Sequence, residues 1–156
     1  AYNRRYYSTV EAAKRFVYAN SNVRAKMLLP DFILKDCDQP FHNIHENSSH
    51  GIDMLHYVFG HLDVESVSWH SPHDKYFGCT AALRSENGAS VSLLMTWGAP
   101  TNFSLDIDNG HTRLFLEPFE FLKEYLGLDV IEPTPEYPVR QYVPRTISKN
   151  SVFDDL

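Results

Sequence analysis

The segment Phe41-His42-Asn43-Ile44-His45-Glu46-Asn47-Ser48-Ser49-His50-Gly51-Ile52-Asp53 carries three histidines and two carboxylates where polar sequence gives way to amphipathic sequence. Imidazole is the side chain whose unperturbed proton equilibrium lies nearest physiological pH, so a histidine here is a candidate general base. His50 falls in the expected first turn of a helix beginning near Ser49. The positive end of a helix dipole disfavours imidazolium, and a neutral ring can accept a proton. Glu46, four residues earlier, can accept the other ring N–H and fix the tautomer. The competing reading is a helix-start histidine bonded to local backbone. A metal reading also exists, because His42, His45, Glu46 and His50 are all suitable zinc or iron ligands. Their spacing does not match the His-Glu-x-x-His of a zincin helix, and no metal is expected.

Several elements must position this segment. Ser8-Thr9-Val10-Glu11 reads as a capping box, and Val10, Ala13, Phe16 and Val17 recur at helical spacing, which predicts a helix from Thr9 to Tyr18. Val23 to Leu29 reads as a strand ending at Pro30. Ile52, Leu55, Val58 and Phe59 line one face of the second helix, and Gly60 is a good residue to end it. Strands follow at Val64–His70, Tyr76–Arg84, Ala89–Trp97, Asn102–Asp108 and Thr112–Leu116. Turns at Ser85-Glu86-Asn87-Gly88 and Asn109-Gly110 argue for an antiparallel meander, because Asn-Gly tolerates positive φ. Pro118 near a first turn and Gly127 past an end predict a short helix between them. Pro133, Pro135, Pro138 and Pro144 predict an extended surface tail. The fold class is α+β: an open, mainly antiparallel sheet with helices packed on one face.

Composition narrows the partners. The chain has 156 residues and 43% hydrophobic content, which fits one globular domain with a real core. The net charge of -6 and the scattered basic residues argue against nucleic acid. No stretch approaches the roughly 20 apolar residues of a membrane span. Cys37 and Cys79 lie far apart and imply neither a disulfide framework nor a thiolate metal site, so a reducing, cytoplasmic compartment is expected. Neither a G-x-G-x-x-G after a strand nor a P-loop occurs, and the βαβ alternation of a nucleotide fold is missing. The ends read as those of a piece of a longer protein.

Glu46-Asn47-Ser48-Ser49-His50-Gly51-Ile52-Asp53-Met54-Leu55-His56-Tyr57-Val58-Phe59-Gly60 resembles the active-site helix of the glucose–fructose oxidoreductase / inositol dehydrogenase (Gfo/Idh/MocA) family, in which an acid precedes a histidine by four positions. Tyr2-Asn3-Arg4-Arg5-Tyr6-Tyr7 resembles the family's junction after the nucleotide domain. Asn87-Gly88-Ala89-Ser90-Val91 through Trp97 resembles one of its hairpins, and Leu116-Glu117-Pro118 the segment after its last meander strand. The resemblance implies a C-terminal substrate-binding and oligomerisation domain, residues 1–156, lacking the N-terminal Rossmann domain that binds NAD or NADP and supplies a lysine. It implies His50 as the base beside the substrate hydroxyl and Glu46 as its orienter, in the place of the usual Asp. The expected activity is that of an NAD(P)-dependent oxidoreductase on a sugar, cyclitol or related polyol. The isolated chain is expected to be inactive and to hold no cofactor.

Arg4 and Arg5 lie at the junction and are candidate contacts to an acidic or hydroxylated substrate; the alternative is a structural salt bridge there. His56 and Tyr57 read as packing and helix-surface residues. The Glu46 substitution keeps a second function open, a non-catalytic binding or assembly module of the same fold, and the His42–His50 cluster keeps a third, a metal protein. The strand phase opposite the core includes Tyr76, Gly78, Leu94 and Phe115. This mixed face predicts a homo-oligomer built through the sheet.

Overall fold

The helix that opens the fold, α1, spans Ser8–Ala19 and buries Thr9, Val10, Ala13 and Val17 against the sheet. In this computed structural model residues 3–31, 44–71 and 77–154 are described, without the side chains of Glu46 and Asn47. His42, Cys37 and the expected Glu46–His50 contact therefore lie outside the described residues. The capping box does not form. Tyr7, extended at φ -66° and ψ 138°, is the N-cap, and Ser8 is already helical. Glu11 instead accepts a hydrogen bond from the Tyr57 hydroxyl.

Strand β1, Arg24–Asp31, alternates as expected, with Ala25, Met27 and Leu29 buried and Arg24 and Lys26 exposed. A π-helical turn, Ile44–Ser48, runs into helix α2, Ser49–Phe59. Ser48 at the join has helical angles, φ -64° and ψ -28°, so the two are one continuous helical segment. Met54, Leu55, Val58 and Phe59 face the core. Gly60 ends the helix at φ 78°, where its N–H donates to the His56 carbonyl.

Seven further strands complete one sheet: β2 Leu62–His70, β3 Gly78–Ser85, β4 Ser90–Trp97, β5 Ser104–Asp108, β6 Thr112–Leu116, β7 Phe121–Ile131 and β8 Gln141–Ser151. Their order is β2-β3-β4-β1-β5-β6-β7-β8. The α+β class holds, and both hairpins form where the Asn-Gly turns sit. The meander is interrupted, however. β1 lies between β4 and β5, parallel to the first and antiparallel to the second. Turn chemistry fixes β3 with β4 and β5 with β6, but says nothing about the gap between the two hairpins. Ala25, Met27 and Leu29 fill it because they align with Val91, Leu93 and Met95 on one side and with Ile107 and Leu105 on the other. All these side chains are buried, giving a continuous apolar row under the helices.

Residues 118–127 do not form the expected helix. The Glu117–Pro118 bond is cis, and β7 follows directly. Leu122, buried between the exposed Phe121 and Lys123, pairs with Leu116 on the open edge of β6. A waiting edge outweighs the local helix signals of Pro118 and Gly127. Residues 133–151 are extended and largely exposed, as expected, but they are a hairpin arm paired with β7 rather than a tail. Pro133, Pro135 and Pro138 lie in the β7–β8 connection, closed by reciprocal backbone hydrogen bonds between Thr134 and Tyr137, and Pro144 lies within β8.

Candidate active site

Every third or fourth residue of α2 faces the same way, so His50, Asp53 and Tyr57 form one stripe along it. His50 is half-buried at its upper end. The π-helical turn puts His50 in the second helical turn after Ile44 rather than the first. Ser49 Oγ donates to the His45 carbonyl at 3.1 Å and pins the π turn to the helix.

The 3-10 turn Arg4–Tyr6 packs beside this stripe. Arg5 donates to Asp53 Oδ1 at 3.3 Å, with both side chains only partly exposed. Its guanidinium also lies 5.1 Å from the centre of the Tyr6 ring. Arg4 stacks over Phe103 at 4.4 Å and reaches Phe119 at 5.9 Å. Packing thus fixes both arginines. Some donor and acceptor capacity is left over: Arg4 Nη1, Arg5 Nε and Asp53 Oδ2 are buried without a hydrogen-bond partner among the described residues. Buried polar atoms are rarely left so, which makes this junction an unusual spot in the fold.

Farther down the stripe, Tyr57 donates to Glu11 while Lys14 Nζ sits 3.7 Å from the centre of its ring. The hydrogen bond to Glu11, followed by burial, pushes the Tyr57 phenol above its ordinary pKa. Sequence reasoning assigned Tyr57 to packing and the helix surface and missed this trio, whereas the structural salt bridge it offered as the alternative for the junction arginines is made by Arg5, with Asp53 as the acid. The i, i+3, i+7 spacing of His50, Asp53 and Tyr57 was the available signal.

A cleft of about 280 Å³ opens at the end of β1, lined by Pro30, Asp31, Thr101, Asn102 and Phe103 among others. Phe103 is the ring beneath Arg4, so the cleft and the arginine turn share a wall. A carboxylate, an amide and a hydroxyl around an aromatic surface suit a ligand rich in hydroxyl groups. Among the described residues no group of three His, Cys, Asp or Glu side chains is placed to hold a metal ion. No described helix is long and apolar enough to cross a membrane.

No family profile matches the sequence, and neither does any curated protein. Solved structures do match in shape. An oxidoreductase from Desulfitobacterium hafniense, described as NADPH-dependent, superposes with a TM-score of 0.68 at 13% identity, over 97% of this chain and 49% of its own. A dehydrogenase (MviM) from Clostridium difficile gives 0.63 at 13% identity, over 99% of this chain and 49% of its own. The fold is that of Gfo/Idh/MocA-type oxidoreductases. Levoglucosan dehydrogenase, solved with NADH and levoglucosan, shares the Gfo/Idh/MocA fold at a TM-score of 0.60 and 15% identity, over 94% of this chain and 45% of its own. This chain therefore spans about half the length of the Gfo/Idh/MocA-type proteins it matches.

Proposed function

We propose that this chain is the substrate-binding half of an NAD(P)-dependent oxidoreductase acting on a sugar, cyclitol or related polyol. One observation carries the reading: nearly the whole chain matches about half of several oxidoreductases, one of them solved with NADH and a sugar derivative. The cleft beside Arg4 supports the substrate class, since Asp31, Thr101 and Asn102 are groups that bond hydroxyls. His50 is the proposed base, with Glu46 orienting it. Arg4 and Arg5 act as the wall between cleft and helix, their remaining donors turned toward the junction.

The residues described here do not fit the dinucleotide. Its pyrophosphate needs a glycine-rich strand-to-helix turn with backbone N–H groups converging on it. Here α1 follows a 3-10 turn and α2 follows a π turn, and neither start carries such glycines. A nicotinamide held by another part of the protein would supply the hydride chemistry. This chain's part is to hold the polyol and to take the hydroxyl proton at a ring nitrogen of His50. Loss of that proton leaves the electron pair on oxygen that forms the carbonyl as hydride departs.

The test uses the full-length protein, a panel of polyols and both nicotinamide cofactors, read by the absorbance of the reduced cofactor. Removing the base with His50→Ala is expected to lower kcat by roughly 10²–10⁴-fold. A His50→Ala enzyme as fast as the parent would overturn the assignment of the base. Absence of any hydride transfer by the parent protein would favour the non-catalytic module, for which the Glu46 substitution is the sequence argument.

A further inference from the structure

We propose that Asn87, in the turn between β3 and β4, is a site of spontaneous covalent modification, where conversion to isoaspartate loosens the hairpin, and that Asn109, in the turn between β5 and β6, is held against the same reaction.

Both asparagines precede a glycine, Gly88 and Gly110. With no Cβ beside it, a glycine nitrogen is open to attack the asparagine side-chain amide. The glycine N–H gives up its proton and the nitrogen bonds to the asparagine Cγ. The Cγ–Nδ2 bond breaks, and ammonia leaves with that proton. Water then opens the cyclic imide. Breaking the new N–Cγ bond gives aspartate. Breaking the main-chain bond gives isoaspartate, whose backbone runs through the side chain. Nothing is oxidised or reduced, and water is the only co-reactant.

The attacking groups are alike in the two turns. Gly88 and Gly110 have φ of 81° and 85°, and a Cβ built on either would stand in open space. Each backbone N–H makes one hydrogen bond of 2.9 Å, Gly88 to the Ser85 carbonyl and Gly110 to Asp108 Oδ1. The asparagine amides differ. Asn109 Nδ2 donates to Asn20 Oδ1 at 2.8 Å, and its Oδ1 accepts from the backbone N–H groups of His111 at 3.0 Å and Thr112 at 2.8 Å. Bringing its Cγ onto Gly110 N takes the amide away from these partners. The Asn87 side chain is exposed and makes no hydrogen bond among the described residues, so it turns toward Gly88 at no such cost. An intramolecular reaction is as fast as its reacting atoms are often aligned. One hydrogen bond biases that alignment severalfold, and the three together hold Asn109 back at least about tenfold relative to Asn87.

The β3–β4 turn is built so that the change is felt. Ser85, 3% exposed, closes it. Its N–H donates to the Ala89 carbonyl at 3.0 Å, its carbonyl accepts from Gly88, and its hydroxyl accepts from the Ala89 N–H at 3.0 Å. Arg84, paired with Glu65, also donates to the Gly88 carbonyl and to Ser90 Oγ. Hairpin register depends on turn type and loop length. Isoaspartate adds a backbone atom between Ser85 and Ala89, so the Gly88–Ser85 bond cannot be kept as it is, and the pairing that starts at Arg84 and Ser90 loosens from the turn inward.

The test is a time course of the full chain at mildly alkaline pH, followed by peptide mapping. Mass spectrometry reads the exchange of amide for hydroxyl, and fragmentation tells isoaspartate from aspartate. No substrate is needed, so the outcome is independent of the oxidoreductase reading. In the folded chain Asn87 is expected to convert at least about tenfold faster than Asn109; in urea the two should agree within about threefold, since only the folded chain holds the Asn109 amide. Asn20→Ala, checked for fold by circular dichroism, frees Asn109 Nδ2 and is expected to speed conversion at Asn109 by about two- to tenfold while leaving Asn87 unchanged. Chains with isoaspartate at position 87 are expected to melt below Asn87→Asp chains, which carry the same charge without the extra backbone atom. Equal rates at the two asparagines in the folded chain, faster conversion at Asn109, or an Asn87 that stays intact while the unfolded chain converts would each overturn the proposal. Equal melting of the isoaspartyl and Asn87→Asp chains would overturn the loosening of the hairpin.

Discussion

Gly51, the residue after His50, sits where α2 crosses β1, and replacing it with alanine tests how closely the helix is held to the strand. An added Cβ would lie 2.3 Å from Leu29 Cδ2, 2.7 Å from Cδ1 and 3.1 Å from Cγ. The ends of a leucine can usually swing aside, but Leu29 is fully buried and has no empty side to turn toward. Overpacking of this kind costs about 1–3 kcal/mol. Alanine recovers about 0.5–1 kcal/mol of helix propensity. The net expectation for Gly51→Ala is a loss of about 0–2.5 kcal/mol, centred near 1 kcal/mol, which lowers Tm by about 2–4 °C per kcal/mol in a chain of this size. Leu29→Ala removes all three clashing atoms and by itself costs about 2–5 kcal/mol through the cavity it leaves. In the double variant the new methyl enters that cavity. The combined loss should fall short of the sum by about 1 kcal/mol or more, a coupling that a double-mutant cycle in urea measures directly. Additive losses, or a Gly51→Ala chain more stable than the parent, would refute the claim that helix and strand meet at this glycine.

Two further outcomes are expected. Thr9 Oγ1, 2% exposed, donates to the Phe119 carbonyl at 2.6 Å and ties α1 to the turn before β7; Thr9→Val should cost about 1–3 kcal/mol in denaturant unfolding and Thr9→Ser clearly less, because only valine leaves a buried carbonyl unpaired. The Tyr57 phenol, raised above 10.0 chiefly by its hydrogen bond to Glu11, should ionise at higher pH in the folded chain than in urea when followed by ultraviolet absorbance. Because the folded value is the higher one, its stabilising contribution is complete below the unfolded pKa and disappears as pH rises through the folded pKa. Glu11→Gln should shrink the difference.

Local signals served well where local chemistry decides structure. The Asn-Gly turns placed two hairpins, the apolar spacing from Ile52 to Phe59 placed α2, and the alternation of Ala25, Met27 and Leu29 gave β1 with its buried side correctly assigned. What failed depends on distant partners. Nothing near Arg24 says that the strand slots between residues 90–97 and 104–108, and nothing near Phe121 says that β6 presents an open edge. Glu11 was assigned to its own helix end because the competing Tyr57 hydroxyl is 46 positions away. In the candidate site, the position of His50 on α2 was legible from pattern and resemblance. A salt bridge at the junction arginines was anticipated, but its acid, Asp53, was not, because nothing near Arg5 names a partner 48 positions away.

The central position of β1 also governs how the chain can reach its folded state. The strand is made well before its neighbours, and Arg24 must wait for Asp108, 84 positions later, before both of its edges are occupied. At ribosomal speeds of about 5–20 residues per second the delay is roughly 4–17 s. Until residues 90–97 are made, Met27 and Leu29 present an apolar strand whose two edges are both open, the form most prone to wrong pairing. Pairings this remote in sequence close late. Once closed, β1 lies under two helices and between two neighbouring strands, so its amides should exchange with deuterium only when the whole domain opens. Amides of the ribbon past Gly127, which has no third strand among the described residues, should exchange first.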